Sequence, residues 1–540
     1  MKRRNFIANT ALATVGIAAL ATSCNTKVDT TITAENTNVS TEDDFELNEI
    51  TISELQEKMQ SGKYTSEQIT KLYLDRIEAI DKNGPKLNSV IEINPEAIAI
   101  AKAMDRERKD GKIRGNLHGI PIVIKDNIDT ADKMMTTAGS LALIANIASN
   151  DAFIVKKLRD AGAVLLGKTN LSEWANFRST ASCSGWSSRG GQTKNPYILD
   201  HSPCGSSAGS GVAVAANLCV VAVGTETDGS IVCPASVNGT VGIKPTVGLL
   251  SRSGIIPISH TQDTAGPLAR TVTDAAILLE TMIGEDNADN VTLESTGKAT
   301  GNYIQYLTKD GLKGKRIGVE KKKYTNPLLN KLFDESLAIM KQQGAEIIEI
   351  EYLDKINANG DAELEVMKFE FKYGLNKYLA KANSKMKSLE NVITFNKENE
   401  DKAMPTFKQE LLEMSQEKAG LNDKEYLKAL DKSHNVVKNV IDTIMKENKL
   451  DAISGVTMGP ACSIDIIYGD RWGDVFLTAP AAMSGYPHIS VPCGKIYDLP
   501  VGLSFFSGAY QEGEIISLAY AYEQVSKHRI KPGFKKAFLD

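Results

Sequence analysis

Two clusters of small residues, separated by an apolar segment, limit the possible folds and functions of this chain more than any other stretch of it. The clusters are GSSAGSG at residues 205–211 and TDGS at residues 227–230, and residues 212–223 between them are almost entirely apolar. Glycine and serine at this density leave backbone N–H groups uncovered and let a ligand approach closely. A serine in such a loop can act as a nucleophile when a base is near and N–H groups bind the oxyanion. Glycines that only form turns are the alternative, and the presence of two clusters makes it the weaker one.

A strand upstream supplies a candidate base. Residues 120–124 (IPIVI) are apolar and are typical of a short buried strand, which ends at Lys125. Burial disfavours the ammonium form and lowers the pKa of a lysine, so Lys125 can be a neutral base at working pH. A lysine that extends from the strand end to solvent is the alternative.

Together these residues resemble the amidase signature family of serine hydrolases. The resemblance covers residues 50–285 and resumes near the C-terminus. The segment GTETDGSIVCP at 224–234, with Asp228 where many members have glycine, is most similar to the bacterial peptide amidases. The other matching segments are GIPIVIKDN at 119–127, GSSAGS at 205–210 and GTVGIKPT at 239–246.

The resemblance implies a Ser–Ser–Lys triad. Lys125 would be the general base, Ser206 the bridging serine and Ser230 the nucleophile, with the two serines 24 positions apart. It also implies a cis peptide bond between Gly205 and Ser206, and no metal or cofactor. The oxyanion hole would be formed by the backbone N–H groups of Thr227, Asp228, Gly229 and Ser230.

A second catalytic pattern overlaps the first cluster. Residues 205–209 also fit G-x-S-x-G, the nucleophile elbow, which would make Ser207 the nucleophile. That motif requires a strand directly before it, whereas residues 195–204 contain two prolines and no strand-like run. It would also leave Lys125 and Ser230 without roles, so we favour the triad.

The fold class follows from alternating helix and strand patterns between residues 151 and 224, which indicate a largely parallel sheet covered by helices. The resemblance implies one large α/β domain at residues 47–540, with a mixed, mostly parallel sheet. Residues 286–450 are rich in Lys and Glu and mostly helical in pattern, with strand patterns at 315–319 and 345–351. We expect this region to form a helical cap over one side of the cleft.

Substrate contacts are expected from the segment 168–178, which follows a buried strand pattern and so lies at the carboxyl edge of the sheet. Asn176 and Glu173 are the predicted substrate-binding residues. For Glu173 the alternative is a charge at the start of a helix, where it interacts favourably with the helix dipole.

The N-terminus predicts export. Residues 1–23 carry three positive charges, including Arg3-Arg4, followed by an apolar run too short to span a bilayer, which is typical of a signal peptide and suits the twin-arginine type. Residues 21–24 (ATSC) resemble a bacterial lipoprotein cleavage box, which would make Cys24 the lipidated first residue of a periplasmic or cell-surface protein. An ordinary cleaved signal is the alternative. The polar residues 24–46 would be a flexible tether.

Charge and cysteine content narrow the possible partners. Removing residues 1–23 moves the formal net charge from −5 to −8, which argues against nucleic acid as a partner. Six cysteines remain besides Cys24, and the sequence selects no pairing among them; Cys219 and Cys233 fit small buried apolar positions. There is no C-x-x-C motif and the six histidines are scattered, so we expect no metal site.

The sequence therefore predicts a serine amidohydrolase that acts on carboxamides through an acyl-enzyme. The resemblance favours the C-terminal amides of peptides as substrates, with aliphatic or aryl amides and esters as the alternative. We expect no obligate protein partner and a membrane attachment only through the lipid anchor. Two functions of other classes remain open: the ammonia-producing subunit of a tRNA-dependent amidotransferase, and a catalytically silent surface binding protein.

Overall fold

The structure is a computed structural model, and it describes residues 44–539. The predicted signal peptide at residues 1–23, the predicted lipidation site Cys24 and the predicted tether up to residue 43 lie outside the described residues. Between residues 44 and 539, no helix is long and apolar enough to cross a membrane.

Within residues 44–539 there are thirteen β-strands and seventeen α-helices. The strands are β1 Val90–Ile93, β2 Pro121–Lys125, β3 Val164–Thr169, β4 Trp186–Ser187, β5 Gly191–Gln192, β6 Val221–Glu226, β7 Val241–Lys244, β8 Thr264–Ala269, β9 Arg316–Glu320, β10 Glu346–Ile350, β11 Ala452–Val456, β12 His488–Ile496 and β13 Leu499–Phe506. The helices are α1 Ile52–Gln60, α2 Ser66–Arg76, α3 Ala97–Lys109, α4 Phe153–Asp160, α5 Ala208–Ala215, α6 Val232–Val237, α7 Val272–Met282, α8 Pro327–Gln342, α9 Leu353–Asn357, α10 Gly360–Lys381, α11 Leu389–Glu398, α12 Glu400–Ala403, α13 Glu410–Gln416, α14 Lys424–Leu430, α15 Val437–Asn448, α16 Ala479–Ser484 and α17 Glu512–Ser526.

Eleven of these strands form one mixed sheet in the order β1-β3-β2-β6-β8-β7-β12-β13-β11-β9-β10. The prediction of a single large α/β unit with a mixed sheet is confirmed, but the expectation that most pairings are parallel is wrong. Four neighbouring pairs are parallel and six are antiparallel. The helix–strand alternation that indicated parallel pairing covers only β3 and β6, and β2 pairs in parallel with both of them. In contrast, β12 and β13 are joined by a two-residue turn, which can connect only antiparallel strands.

The centre of the sheet is buried on both faces. Every residue of β2, β3 and β6 is buried, which is why these strands are continuous apolar runs and do not alternate. β2 and β6 are parallel neighbours, with Ile124 beside Val223. Their carboxyl ends therefore meet at one edge of the sheet, where Lys125 ends β2 and Glu226 ends β6.

Residues 286–450 contain the strands β9 and β10 and the helices α8–α15. The strands at 315–319 and 345–351 are confirmed as β9 and β10, and they extend the main sheet at one edge. The long helix α10 packs on the central region through Phe371, Leu375 and Leu379, which join the buried cluster around Trp174 and Phe177. One face of α10 is thus held close to the carboxyl edge of β6.

Candidate active site

Lys125, the predicted general base, is fully buried at the carboxyl end of β2. Its Nζ donates to Ser206 Oγ at 2.7 Å, to Thr225 Oγ1 at 2.8 Å and to the Thr225 carbonyl at 3.1 Å. Desolvation lowers the pKa of Lys125 to about 7, against an opposing effect of the negative charges on Asp263 and Glu226. The side chain does not extend to solvent, and its burial is the environment that the predicted depression of the pKa requires.

The acceptors around Lys125 orient its amine. A neutral amine has two N–H groups and one lone pair, and Thr225 presents two acceptor oxygens to it, one of which also accepts from Asn127 Nδ2 at 3.0 Å. When both N–H groups donate to Thr225, the lone pair remains for the Ser206 hydroxyl. The arrangement therefore suits proton transfer from Ser206 to Lys125.

Ser206 is held in a crowded turn. The Gly205–Ser206 peptide bond is cis, as expected. Gly205 has no room for a side chain, because a Cβ there would lie 2.2 Å from Ser172 Oγ. The Ser206 carbonyl accepts from the N–H of Ser172 at 3.1 Å. Local packing thus fixes Ser206 against Lys125.

Ser230 lies beside this turn. The N–H of Ser207 donates to the Ser230 carbonyl at 3.1 Å, which places the two serine-bearing segments next to each other. Ser230 is 7% exposed, whereas Ser206 is fully buried.

The nucleophile of the alternative pattern would be Ser207, and its hydroxyl is hydrogen-bonded to the backbone of β6. Its hydroxyl donates to the Thr225 carbonyl at 3.0 Å and accepts from the Thr225 N–H at 3.2 Å. No strand directly precedes it, since residues 193–207 of the described chain contain no strand. The geometry of a nucleophile elbow is therefore missing around Ser207.

The loop that carries Ser230 is braced by the buried carboxylate of Glu226. This carboxylate accepts from the N–H groups of Gly229 at 3.0 Å, Ile231 at 2.7 Å and Val232 at 3.0 Å. The prediction that the N–H of Gly229 binds the oxyanion is therefore wrong, because this N–H already donates to the Glu226 carboxylate.

The other three predicted oxyanion donors are available. The N–H groups of Thr227, Asp228 and Ser230 have no acceptor anywhere in residues 44–539. Unpaired N–H groups in a mostly buried loop are suited to binding an oxyanion. We therefore retain these three residues as the candidate oxyanion hole.

The Asp228 side chain lies near the helix α10. Burial raises the pKa of its carboxyl to about 7, and its Oδ1 is shielded from solvent with no partner in the described structure. The nearby carboxyl of Glu363, on α10, accepts from Gln262 Nε2 at 2.7 Å, and burial raises its pKa well above the ordinary value. Sequence reasoning did not find Glu363, because it lies more than 130 positions from Asp228.

The two predicted substrate-binding residues lie on a short 3₁₀ turn, Glu173–Asn176. Glu173 is buried; burial raises the pKa of its carboxyl, which accepts from the N–H of Ser188 at 2.6 Å. Asn176 is exposed and accepts from Ser182 Oγ at 2.8 Å. Contact of either residue with substrate stays a prediction.

A cavity of about 350 Å³ lies beside the candidate oxyanion loop. Its lining includes Thr225 and Thr227, the apolar residues 254–258, and Tyr373 and Lys377 of α10, whereas Lys125, Ser206 and Ser230 do not line it. Of the predicted substrate turn, only Ala175 lines this cavity. Its volume is within the range of small-molecule binding sites in proteins.

A disulfide joins Cys204 to Cys233, with their Cα atoms 6.1 Å apart. The expectation that Cys233 is simply a small buried residue was therefore incomplete, whereas Cys219 is buried with a free thiol as expected. The sequence could not select this pair, because chain positions alone do not reveal which cysteines meet in space. In the described chain, no group of three or more His, Cys, Asp and Glu side chains could hold a metal ion.

This chain matches a family model and known proteins over most of its length. The family model Amidase matches residues 68–516. The chain is 42% identical over 502 residues to a "Probable amidase" of Arabidopsis thaliana, covering 91% of this chain and 92% of the plant protein. It is 35% identical over 511 residues to a glutamyl-tRNA(Gln) amidotransferase subunit of Thermoanaerobacter pseudethanolicus, covering 90% of this chain and 99% of that protein.

Among solved structures, the native peptide amidase from Stenotrophomonas maltophilia superposes with a TM-score of 0.87. The two sequences are 47% identical, and the match covers 91% of this chain and 99% of that enzyme. The same architecture is therefore shared over nearly the whole length of both proteins.

Proposed function

This chain belongs to the amidase family and is an amidase hydrolase, and from that premise we propose that it cleaves carboxamides with a Ser–Ser–Lys triad. The observation that carries the proposal is the contact of 2.7 Å between Lys125 Nζ and Ser206 Oγ, at a buried lysine whose pKa is lowered to about 7. A lysine with this pKa is substantially neutral near pH 7 and can act as a base.

The acylation step begins with proton transfer. Neutral Lys125 accepts the hydroxyl proton of Ser206, and Ser206 accepts that of Ser230 as Ser230 Oγ attacks the amide carbonyl carbon. The carbonyl π-bond breaks, and the N–H groups of Thr227, Asp228 and Ser230 bind the oxyanion. The chain of hydroxyls moves a proton without leaving an isolated charge on Ser206.

Collapse of the tetrahedral intermediate breaks the C–N bond. Lys125 returns the proton through Ser206 to the leaving nitrogen, which departs as ammonia or an amine and leaves the acyl group on Ser230. Water then attacks the ester with Lys125 again acting as base through Ser206. This second step releases the carboxylic acid and restores the Ser230 hydroxyl.

The proposed substrates are the C-terminal amides of peptides. The 47% identity to a peptide amidase supports this choice. The largely apolar cavity beside Thr225 and Thr227 is large enough for a side chain next to the amide. Aliphatic or aryl amides and esters are the second candidate class.

We further propose that the enzyme is exported and anchored to a membrane through Cys24. The N-terminal sequence motivates this, and the Cys204–Cys233 disulfide supports it, because disulfides persist mainly in oxidising compartments. Metabolic labelling with a palmitate analogue tests the anchor: the parent protein should take up label and a Cys24→Ser variant should not. An unlabelled parent protein would contradict the anchor.

The test of activity is a substrate panel. Purified enzyme is incubated with N-acetylated dipeptide amides, benzamide, aliphatic amides and ethyl esters, and released ammonia or acid is measured. We expect the peptide amides to have the highest kcat/KM. Highest kcat/KM on simple amides or esters would instead establish the second substrate class.

Two serine variants test the triad. Ser230→Ala should reduce turnover to background while circular dichroism stays unchanged. The matched control Ser207→Ala should retain measurable turnover, because that hydroxyl bonds only to the backbone of β6. Loss of turnover in Ser207→Ala with retention in Ser230→Ala would contradict the triad.

The rival role as part of an amidotransferase rests on the similarity to the Thermoanaerobacter protein. That role requires partner subunits and the presence of tRNA. Isolation of the native protein from its source cell decides between the two: a stable complex with a second type of chain in the cytoplasm would favour the rival, and a single chain in the exported fraction would favour the amidase.

A further inference from the structure

We propose that the Cys204–Cys233 disulfide is a positioning element of the active site, which holds the segment that carries Ser206 against the segment that carries Ser230. The inference rests on the triad proposed above. It assigns a role in turnover to two cysteines that do not touch the reacting atoms.

The bond lies at the junction of the two serine segments. Cys204 is two residues before Ser206, and Cys233 is three residues after Ser230. The intervening chain leaves through α5 and returns through β6, so the covalent link closes a loop whose two ends each hold a triad serine.

Hydrogen bonds and a shared apolar cluster also join the two segments near the serines. The N–H of Ser207 donates to the Ser230 carbonyl at 3.1 Å. Asn238 Nδ2 donates to the carbonyls of Pro203 and Pro234, each at 2.8 Å. Hydrogen bonds are individually weak once exchange with water is counted, so these bonds alone allow the segments more relative motion than a covalent link does.

Cys204 also has a backbone conformation that needs support. Its φ is 54°, in the left-handed region that non-glycine residues rarely occupy, and this residue precedes the turn at Gly205–Ser206. Such a conformation persists only where the surroundings fix it. The disulfide and the bond from the Cys204 N–H to Ser202 Oγ at 3.2 Å supply that support.

The surroundings of the two sulfur atoms favour a positioning role over redox chemistry on the substrate. Cys204 and Cys233 are buried in an apolar cluster with Tyr197, Val237 and Met458. Neither cysteine lines the cavity beside Thr225 and Thr227. Because apolar side chains enclose the sulfurs, the proposed role of the bond is exerted through the positions of Ser206 and Ser230.

Reduction should lower kcat more than it changes KM. A displacement of about 1 Å at reacting groups can cost about 100-fold in rate, and we expect loss of the bond to reduce kcat by about 10- to 100-fold. A phosphine reductant supplies the two electrons: the S–S bond breaks, two thiols form with protons from water, and the phosphine becomes its oxide.

The first measurement establishes the bond in the active enzyme. Denatured, unreduced protein is treated with N-ethylmaleimide and analysed by mass spectrometry. We expect a linked peptide pair containing Cys204 and Cys233, with label on the free thiols of Cys183, Cys219, Cys462 and Cys493. Maleimide on both Cys204 and Cys233 in fully active enzyme would overturn the proposal.

The second measurement is kinetic. Parent enzyme, Cys204→Ser/Cys233→Ser and the matched control Cys219→Ser are compared at 15 °C, well below thermal unfolding. Cys219 is equally buried but has a free thiol. We expect the double variant to lose about 10- to 100-fold in kcat and in the rate of fluorophosphonate labelling, with KM and the control little changed.

Reduction of the parent enzyme tests the role of the disulfide without requiring the double variant to fold. The phosphine is applied to native protein until Cys204 and Cys233 become reactive to maleimide, and circular dichroism confirms that the fold persists. Parent kcat should fall and recover on reoxidation, whereas the double variant should be insensitive to the phosphine.

The outcomes separate a positioning role from a stabilising one. Lower thermal stability with unchanged kcat at 15 °C, in both the double variant and the reduced parent, would overturn the proposal. Failure of the inference alone would leave Ser230→Ala inactive and the double variant fully active. Failure of the proposed triad would instead leave Ser230→Ala active.

Discussion

Protonation of Lys125 gives a quantitative test of the proposed base. Burial lowers the pKa of Lys125 to about 7, and only its neutral form can accept a proton from Ser206. For a substrate without ionisable groups, kcat/KM should rise with pH and level off above about pH 8. The neutral fraction is about 1% two pH units below the pKa, so kcat/KM at pH 5 should be about 100-fold below the plateau.

The magnitude follows from the burial of the side chain. A lysine with the ordinary pKa of 10.5 would have only about 0.03% of its amine neutral at pH 7, whereas Lys125 has about half. Burial therefore raises the reactive fraction at pH 7 by about a thousandfold. The corresponding shift in pKa represents about 5 kcal/mol of preference for the neutral amine.

The assay measures initial rates on an N-acetylated peptide amide, below KM and at constant ionic strength, from pH 5 to 9.5. Asp228 is a second candidate for the titrating group, because burial raises the pKa of its carboxyl to about 7. The acid limb should therefore persist in Asp228→Asn. It should be absent from the residual activity of Lys125→Met.

Three results would show that neutral Lys125 is not the base. One is a profile that is flat between pH 5 and 9, and another is a midpoint near the ordinary lysine pKa. The third is loss of the acid limb in Asp228→Asn, which would identify Asp228 as the titrating group.

Three further predictions concern stability. The pKa of Lys125 is lower in the folded chain than in the unfolded chain, so between about pH 7 and 10.5 the unfolded chain binds more protons and the contribution of Lys125 to stability rises with pH. The difference in unfolding temperature, Lys125→Met minus parent, should therefore fall from pH 7 to pH 10. An increase in this difference would contradict the depressed pKa. Arg189→Met leaves the buried Asp126 carboxylate without its ionic partner and should cost about 3 kcal/mol, seen as a lower unfolding temperature; an unchanged one would show that the pair is not needed. Gly209→Ala would place a Cβ 2.2 Å from a backbone carbonyl oxygen and should reduce folded yield, whereas the control Gly360→Ala, with nothing within 4 Å, should not; equal yields would contradict the packing.

The predicted triad could be read from the sequence because each member lies in a local motif. Lys125 ends an apolar run, and the two serines lie in glycine-rich clusters, so residue type and spacing were sufficient to propose their roles. The structure brings Lys125 and Ser206 into contact and places the backbone of Ser230 next to that of Ser207, but within residues 44–539 no hydrogen bond joins the Ser206 and Ser230 hydroxyls.

The features that the sequence did not predict depend on contacts between distant residues or between side chain and backbone. By its sequence context Thr225 is an ordinary strand residue, yet its carbonyl oxygen and its Oγ1 orient the amine of Lys125. Glu226 folds back onto the N–H of Gly229, which no residue pattern indicates.

Strand order and disulfide pairing show the same limit at longer range. The antiparallel pairing of β8 with β6 and β7 depends on how the chain returns to the sheet, and local patterns do not contain that information. Cys204 and Cys233 are 29 positions apart and meet only because the two serine segments pack together.

Identifying the serine that a fluorophosphonate modifies tests directly whether Ser230 is the nucleophile. Enzyme treated at pH 8 is digested and the adduct is located by mass spectrometry. We expect a single phosphonylated residue, Ser230, with concurrent loss of amide hydrolysis and no adduct in Ser230→Ala. An adduct on Ser207, or an active enzyme that takes up no label, would contradict it.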